Sequence, residues 1–339
     1  MSRFTDSVIQ TGAMDRDREI WLNARRGMVT ASVSSALLGV SPFADALDVY
    51  ADFVAPKPTS EKDQKLDITH PAFWGKALEQ AISGAVANYY HWEIEPGGEL
   101  LQSKDHPFLG ATLDNEINNG TGWGIYEGKT TSIWRSGEWK DDSTPPDFVY
   151  VQNQHQLLVT KASYCVTFVL VGGQTTKSFV VEPNPDIHRL LIEFGESFMA
   201  RVRSMSPPPP TTKSAAALVR LYPGGAYDKS TPVNAETALG MPKEALDWTR
   251  DYYEASSLLK MAENQKALAL NHIKACLKDK PYGILPEPVD GASMWRWVLE
   301  GSRGKVIRPM KGDKNVDSLY PELPSGEAPQ PFELSTMKE

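Results

Sequence analysis

The chain has 339 residues, 41% apolar and 23% charged, with 35 Lys plus Arg against 43 Asp plus Glu and a formal net charge of −8. A coat protein that binds nucleic acid non-specifically would be basic, so that class is disfavoured; an enzyme with a local basic groove is allowed, because the field in a cleft need not follow the net charge. Only Cys165 and Cys276 are present, which excludes a disulfide framework, a CxxC zinc site and an iron–sulfur cluster. At ~150 residues per domain the length suggests about two domains. The opening MSRFTDSVIQ has no apolar signal core, and no apolar run reaches the ~18–20 residues of a membrane span. A cytosolic, reducing compartment is expected, with no membrane partner.

Along the chain, Asp15 to Arg25 reads as a polar helix with Ile20, Trp21 and Ala24 on one side. Thr30 is a candidate N-cap for a helix over Val33 to Leu38. Trp74 to Tyr90 carries Trp74, Ala77, Leu78, Ala81, Ile82 and Ala85 at helical spacing. Leu109 to Leu113 and Trp123 to Lys129 read as the two strands of one hairpin, turned by Asn118-Asn119-Gly120. Phe148 to Thr160 reads as a helix, Tyr164 to Val171 and Ser178 to Val181 as β-branched strands, and Ile187 to Met205 as an amphipathic helix. Pro207 to Pro210 favour polyproline II and cannot continue a helix, so a domain boundary is expected there.

Beyond the prolines, Trp248, Tyr252, Ala255, Leu259, Ala262, Ala269, Ile273 and Cys276 recur at steps of four and three, broken only at Lys266. That spacing predicts a coiled-coil or helical-hairpin seam. Met294 to Leu299 and Lys305 to Ile307 suggest a short hairpin turned by Gly301 to Gly304. The resulting organisation is a domain over 1–210, a helical extension with a short β-hairpin over 211–320, and a polar, Pro-rich flexible tail over 321–339.

Four patches could carry chemistry. Asp114 ends one strand, and thirteen residues later Glu127-Gly128-Lys129 lies on the next. The period of two points Glu127 and Lys129 to one face, so two carboxylates and an ammonium converge. Neighbouring carboxylates repel, and so need a divalent cation or raised pKa values. Taken alone, a Glu-x-Lys string is more often an exposed strand face. Glu79, in Trp74-Gly75-Lys76-Ala77-Leu78-Glu79, would add a third carboxylate or simply be solvated on an amphipathic helix. Arg25 and Ser32, beside a helix start, would make a phosphate pocket or merely a cap with surface arginines. Gln152, Gln154 and Gln156 cannot all share one helix face: Gln152 and Gln156 can, and Gln154 points elsewhere. The six histidines show no metal-ligand spacing.

Taken in order, WLNARRGMVTAS, LLGVSPF, WGKALE, PFLGATLDN, IYEGKT and VQNQHQLLVT make the segment from Trp21 to Thr160 resemble the phage exonuclease family that includes lambda exonuclease and the YqaJ viral recombinases, within the PD-(D/E)XK nuclease superfamily. The resemblance implies an α/β fold, with a restriction-endonuclease-like core of a mixed central sheet flanked by helices. It implies Mg²⁺- or Mn²⁺-dependent hydrolysis of linear duplex DNA from a 5′ end, with one or two ions, leaving 3′ single strands for a phage single-strand annealing protein in the bacterial cytoplasm. Homo-oligomers, commonly toroidal trimers, are also implied. Carried over by motif, Asp114, Glu127 and Glu79 are expected to bind metal with the Gly128 carbonyl, Lys129 to be the catalytic lysine, Gln152 and Gln154 the paired glutamines beside the site, and Arg25 and Ser32 the 5′-phosphate anchor. Asn115 stands where the family usually has glycine, and Gly128 where an apolar residue is usual. The competing readings are a structure-specific or nicking endonuclease on the same fold, a catalytically silent DNA-end-binding adaptor, and a decoy of host nucleases.

Overall fold

The computed structural model describes residues 2–4, 8–13, 24–55, 68–223, 230, 232–234, 236–299 and 305–310. The expected helix over 15–25 falls mostly outside these residues, as do the 301–304 turn and the 321–339 tail. The first compact unit spans Met1–Tyr227 and the second Asp228–Glu339. Among the described residues no helix is long and apolar enough to cross a membrane.

The first unit is mixed α/β, built on two sheets. One holds β1 (Val8–Ala13), β4 (Glu99–Ser103), β5 (Leu109–Thr112) and β2 (Val29–Thr30), in the order β1-β4-β5-β2. The other holds β3 (Glu93–Pro96), β6 (Asn115–Asn118), β7 (Trp123–Thr131), β8 (Cys165–Val171) and β9 (Thr175–Val181), in that order. The β2–β5 and β7–β8 pairs are parallel, and the remaining pairs antiparallel. Its described α-helices include α1 (Ala31–Leu37), α2 (Ala46–Val54), α3 (Pro71–Tyr90), α4 (Asp147–Thr160), α5 (Pro185–Arg203) and α6 (Ala215–Leu221).

Side-chain alternation on β7 and β8 decides which helix covers which face. Ile125 and Cys165 join a core with Leu47, Leu109 and Leu157 on the α4 side. Tyr126, Val166 and Phe168 pack on the opposite face against Ile82 and Val86 of α3. The central mixed sheet is thus flanked by helices, as the sequence resemblance implies.

Two sequence expectations need correcting. Leu109 to Leu113 is not the hairpin partner of Trp123 to Lys129. That partner is β6, with Asn115 opposite Tyr126 and Asn118 opposite Trp123, while β5 pairs with β4 in the other sheet. The chain changes sheet at Leu113-Asp114. The polyproline run, moreover, does not end the first unit. After it, the Thr211 and Ser214 hydroxyls donate to the Asp45 carboxylate, and Arg220 pairs with Asp52 at 2.8 Å. These contacts fasten α6 onto α2. Asp45 also accepts the Asp48 N–H at 2.9 Å in a capping box at the start of α2. Burial pushes the Asp45 carboxyl up, but the Ser214 and Thr211 hydroxyls and the backbone N–H groups outweigh it and hold it below its ordinary value.

The second unit carries α7 (Ala245–Leu277) and a three-stranded antiparallel meander of β10 (Tyr282–Val289), β11 (Ala292–Leu299) and β12 (Lys305–Met310). The expected hairpin is therefore its second half. Its first turn is Asp290-Gly291, both at positive φ (50° and 75°), as a tight hairpin turn needs.

Candidate active site

The site forms where β7, α4, α3 and the β5–β6 crossing meet. Glu127 and Lys129 lie two residues apart on β7 and face α4. Glu127 is 1% exposed, and its carboxylate is filled by donors. Oε1 accepts the Lys129 ammonium and the Gln152 amide (2.7 Å), and Oε2 accepts the Gln156 amide (2.7 Å). Lys129 also donates to Gln152 Oε1 at 3.2 Å. Burial pulls the Lys129 ammonium down, but Glu127 and then Asp114 outweigh it and hold it above its ordinary value. Lys129 is therefore a cation at neutral pH.

Asp114 is held by its backbone at the crossing between sheets. Gly97 N–H donates to the Asp114 carbonyl at 3.1 Å and Gly98 N–H to the Leu113 carbonyl at 2.9 Å. Glycine is needed at position 97, since a Cβ there would lie 2.4 Å from the Leu113 carbonyl oxygen. The Asp114 side chain accepts the Gly128 N–H at 3.2 Å. Burial and the neighbouring Glu127 raise its carboxyl well above the ordinary range, against the opposing effect of Lys129. Glu79, half-buried on α3, is raised by burial first, with Glu127 adding and Lys76 and Lys129 opposing. The carboxylates of Asp114, Glu127 and Glu79 thus sense one another. Among the described residues, no group of three or more His, Cys, Asp or Glu side chains forms a ready metal cage.

The helix glutamines divide differently from the motif-based expectation. Gln152 and Gln156, four residues apart, both reach Glu127. Gln154 turns away: its amide donates to the Glu182 carbonyl at 2.7 Å and its Oε1 accepts the Asn184 N–H at 2.8 Å. Gln154 therefore secures the loop before α5, and Gln156 takes the place expected of it. The helical period alone carried that signal. Two further polar residues anchor α4: Asn153 donates to the Thr167 hydroxyl, and His155 Nε2 bonds the Gly110 carbonyl at 3.1 Å.

Arg25 and Ser32 are brought together, the guanidinium donating to the hydroxyl at 2.6 Å. Thr30 precedes α1 as expected of an N-cap, but its side chain makes no cap bond; its hydroxyl sits 3.3 Å from that of Ser32. A cleft of about 550 Å³ is lined by Arg25, Ser32, Lys76, Glu79, Asp114 and Gln152, among others. Of the two departures from the family pattern, Asn115 is the first residue of β6, and a Cβ at Gly128 would meet only Tyr126, at an ordinary 3.5 Å.

Residues 20–163 match the family profile of the YqaJ-like viral recombinase domain. The uncharacterized protein YqaJ of Bacillus subtilis (strain 168) is 23% identical over 289 residues, 84% of this chain and 85% of that protein. Two crystal structures of LHK-Exo are similar over 56% of this chain and 94% of theirs. The one with dAMP is 19% identical with a TM-score of 0.45. The other, described as an alkaline exonuclease from Laribacter hongkongensis, is 16% identical with a TM-score of 0.43. The matched segment, similar to the YqaJ-like viral recombinase domain, contains each of Arg25, Ser32, Glu79, Asp114, Glu127, Lys129 and Gln152.

Proposed function

We propose that the chain is a divalent-metal-dependent exonuclease that hydrolyses linear double-stranded DNA from the 5′ end and leaves 3′ single strands for an annealing protein of phage recombination. The observation that carries this reading is the joining of Glu127, Lys129 and Gln152 beside a cleft that also holds Asp114, Glu79 and the Arg25–Ser32 pair. The donor set fits Mg²⁺ or Mn²⁺. Asp114, with the Gly128 carbonyl, would offer hard oxygens, and Glu127 would add one in exchange for one of its present donors; Mg²⁺ is usually held by one or two carboxylates with waters completing its shell. Burial first, and then the charge of Glu127, raise Asp114, and a bound cation would offset both. Glu79 stands by as a further carboxylate. Bound there, the metal would lower the pKa of a water and polarise the scissile phosphate.

The chain's own groups do the rest. Glu127 holds the Lys129 ammonium in place and protonated, aimed at the charge that develops on the phosphoryl oxygens. Gln152 fixes both partners. Burial pulls the Arg25 guanidinium below its ordinary value, a cost that an anionic 5′-phosphate beside Ser32 would offset. Assembly as a homo-oligomer, in the manner of a toroidal trimer, belongs to the same reading.

The test is digestion of linear duplex labelled at each end in turn, with Mg²⁺, Mn²⁺ or chelator. The 5′ label should be released first, chelator should stop release, and Lys129→Ala should abolish it with the far-ultraviolet spectrum unchanged. A supercoiled circle should survive; nicking of that circle would favour the endonuclease reading instead. Undiminished digestion by Lys129→Ala would refute the assignment.

A further inference from the structure

A second cleft, of about 390 Å³, opens beside Lys129 and shares Ser32 and Gln152 with the first, so these two side chains form part of the wall between the clefts. Its size is that of a small-molecule site. Unlike the first cleft, it is lined by aromatic rings. Phe43 stands in it 65% exposed. Phe148 meets the Phe43 ring edge-on, with centroids 5.6 Å apart at 89°. The Arg135 guanidinium lies 4.9 Å from the Phe43 centroid, and Glu138 holds it through bonds of 2.8 and 2.9 Å. Ring and guanidinium are thus fixed before any ligand arrives, which lowers the ordering cost of binding.

The acids that line this cleft are already engaged. Asp48 accepts the Asp45 N–H at 3.1 Å, Asp52 pairs with Arg220, and Glu138 pairs with Arg135. Arg220 and Arg135 offset the charges of Asp52 and Glu138, whereas the backbone N–H on Asp48 leaves its charge in place. A strand cut at a phosphate beside Gln152 and Lys129 must send its two flanking nucleosides in opposite directions. The two clefts that meet at Gln152 offer those directions, and only the second presents an exposed aromatic ring with a planar cation beside it. Such a pair recognises the π-face of a base, whatever its sequence.

We propose that Phe43, with Arg135, stacks the base of one of the two nucleosides flanking the scissile phosphate. This rests on the nuclease reading above, and adds to it a base-stacking residue on the segment between α1 and α2.

The experiment compares the wild type, Phe43→Ala and Phe43→Trp on linear duplexes, intact or with one abasic residue at the first or second position from the 5′ end. For the wild type, the abasic residue at one of these positions should raise KM about tenfold, the usual scale of losing one stacked base. Phe43→Ala should show that rise on intact DNA and no further rise on abasic DNA, while Phe43→Trp should restore wild-type behaviour. The ring is exposed, so truncation should not unfold the chain; Phe43→Leu, apolar but not aromatic, should behave as Phe43→Ala. If Phe43→Ala keeps the wild-type KM, or keeps the full abasic penalty, the stacking site is overturned while the nuclease reading stands. A wild-type protein that digests no DNA overturns both.

Discussion

Helices α4 and α7 reverse the usual rule that polar residues face water. Four consecutive residues of α4 (Asn153, Gln154, His155 and Gln156) are fully buried. In the 33-residue α7, Trp248 and Leu259 are each 62% exposed, and Ala245 and Leu277 are its buried residues. The difference lies in partners. Each side chain of that α4 run finds at least one partner (Thr167, the Glu182 carbonyl, Asn184, the Gly110 carbonyl or Glu127), while Asn153 Oδ1, His155 Nδ1 and Gln156 Oε1 have none among the described residues. A buried polar group with a partner costs little, and one without costs about 1–3 kcal/mol. Among the described residues of its own unit, the main contact of α7 is with β10, near its end. Burial in this chain follows what is available to touch, not side-chain polarity alone.

The α4 glutamines give the strongest test of that view, because three chemically identical side chains have three different surroundings. Gln152→Ala should cost about 10²–10³ in kcat, the scale of losing one preorganised donor at a reacting centre, because Lys129 and Glu127 lose their common partner. Gln156→Ala should reduce activity less and lower the melting temperature, since it frees one buried carboxylate oxygen of Glu127. Gln154→Ala should lower the melting temperature and leave activity per folded molecule unchanged. Steady-state digestion read beside circular-dichroism melts separates the three. Loss of activity in Gln154→Ala with an unchanged melt would mean that the division of the glutamines is wrong.

His155 sharpens the comparison through pH. Burial pulls its imidazole from the ordinary 6.5 down to about 4, and the Gly110 carbonyl only partly offsets this. The folded chain therefore binds fewer protons than the unfolded chain between those values. The stability this group contributes is fully present above about pH 6.5 and is lost as pH falls toward 4, by roughly 3 kcal/mol in all. Burial also lowers His188, which acts in the same direction. Urea unfolding at pH 7 and at pH 5 should show the loss, and His155→Gln should flatten much of the slope. An unchanged slope in that variant would place the acid sensitivity elsewhere.

How much of this was legible in the sequence depended on the range of the interaction. Local periodicity located α3, α4 and α5, because apolar spacing acts within a few residues, though the reading began each of them after its N-terminal proline or acid. The strand pairing was not legible. Asn118-Asn119-Gly120 does turn a hairpin, but its first strand is the polar Asn115 to Asn118, not the apolar Leu109 to Leu113. The change of sheet at Asp114 rests on Gly97 and Gly98, more than a dozen residues earlier, and no local pattern reports it. The Asp290-Gly291 turn was readable as a hairpin signal and marks a strand that the reading of 294–299 with 305–307 left out. At the site, motif order grouped Asp114, Glu127, Lys129 and Gln152, which lie around one place in the fold, while the helical period alone separated Gln154 from Gln156. The docking of Thr211 and Ser214 on Asp45 spans more than 160 residues of chain, so the prolines between them looked like an end.

The smallest expected effect lies on α7. An exposed side chain away from any cap, pair or core changes stability by no more than about 0.5 kcal/mol when replaced. Leu259→Gln should therefore leave the unfolding of the Met1–Tyr227 unit and the rate of DNA digestion unchanged. Yet Leu259 sits in the middle of the four-and-three seam, and an isolated helix in water gains little beyond propensity, because most helix stability comes from packing one face. The two arguments separate by dilution. If α7 stands alone, its helicity is the same at every protein concentration, with or without Leu259. If helicity falls on dilution, and Leu259→Gln makes it fall sooner, the seam is packed against another chain, and α4 and α7 obey one rule with partners drawn from different molecules.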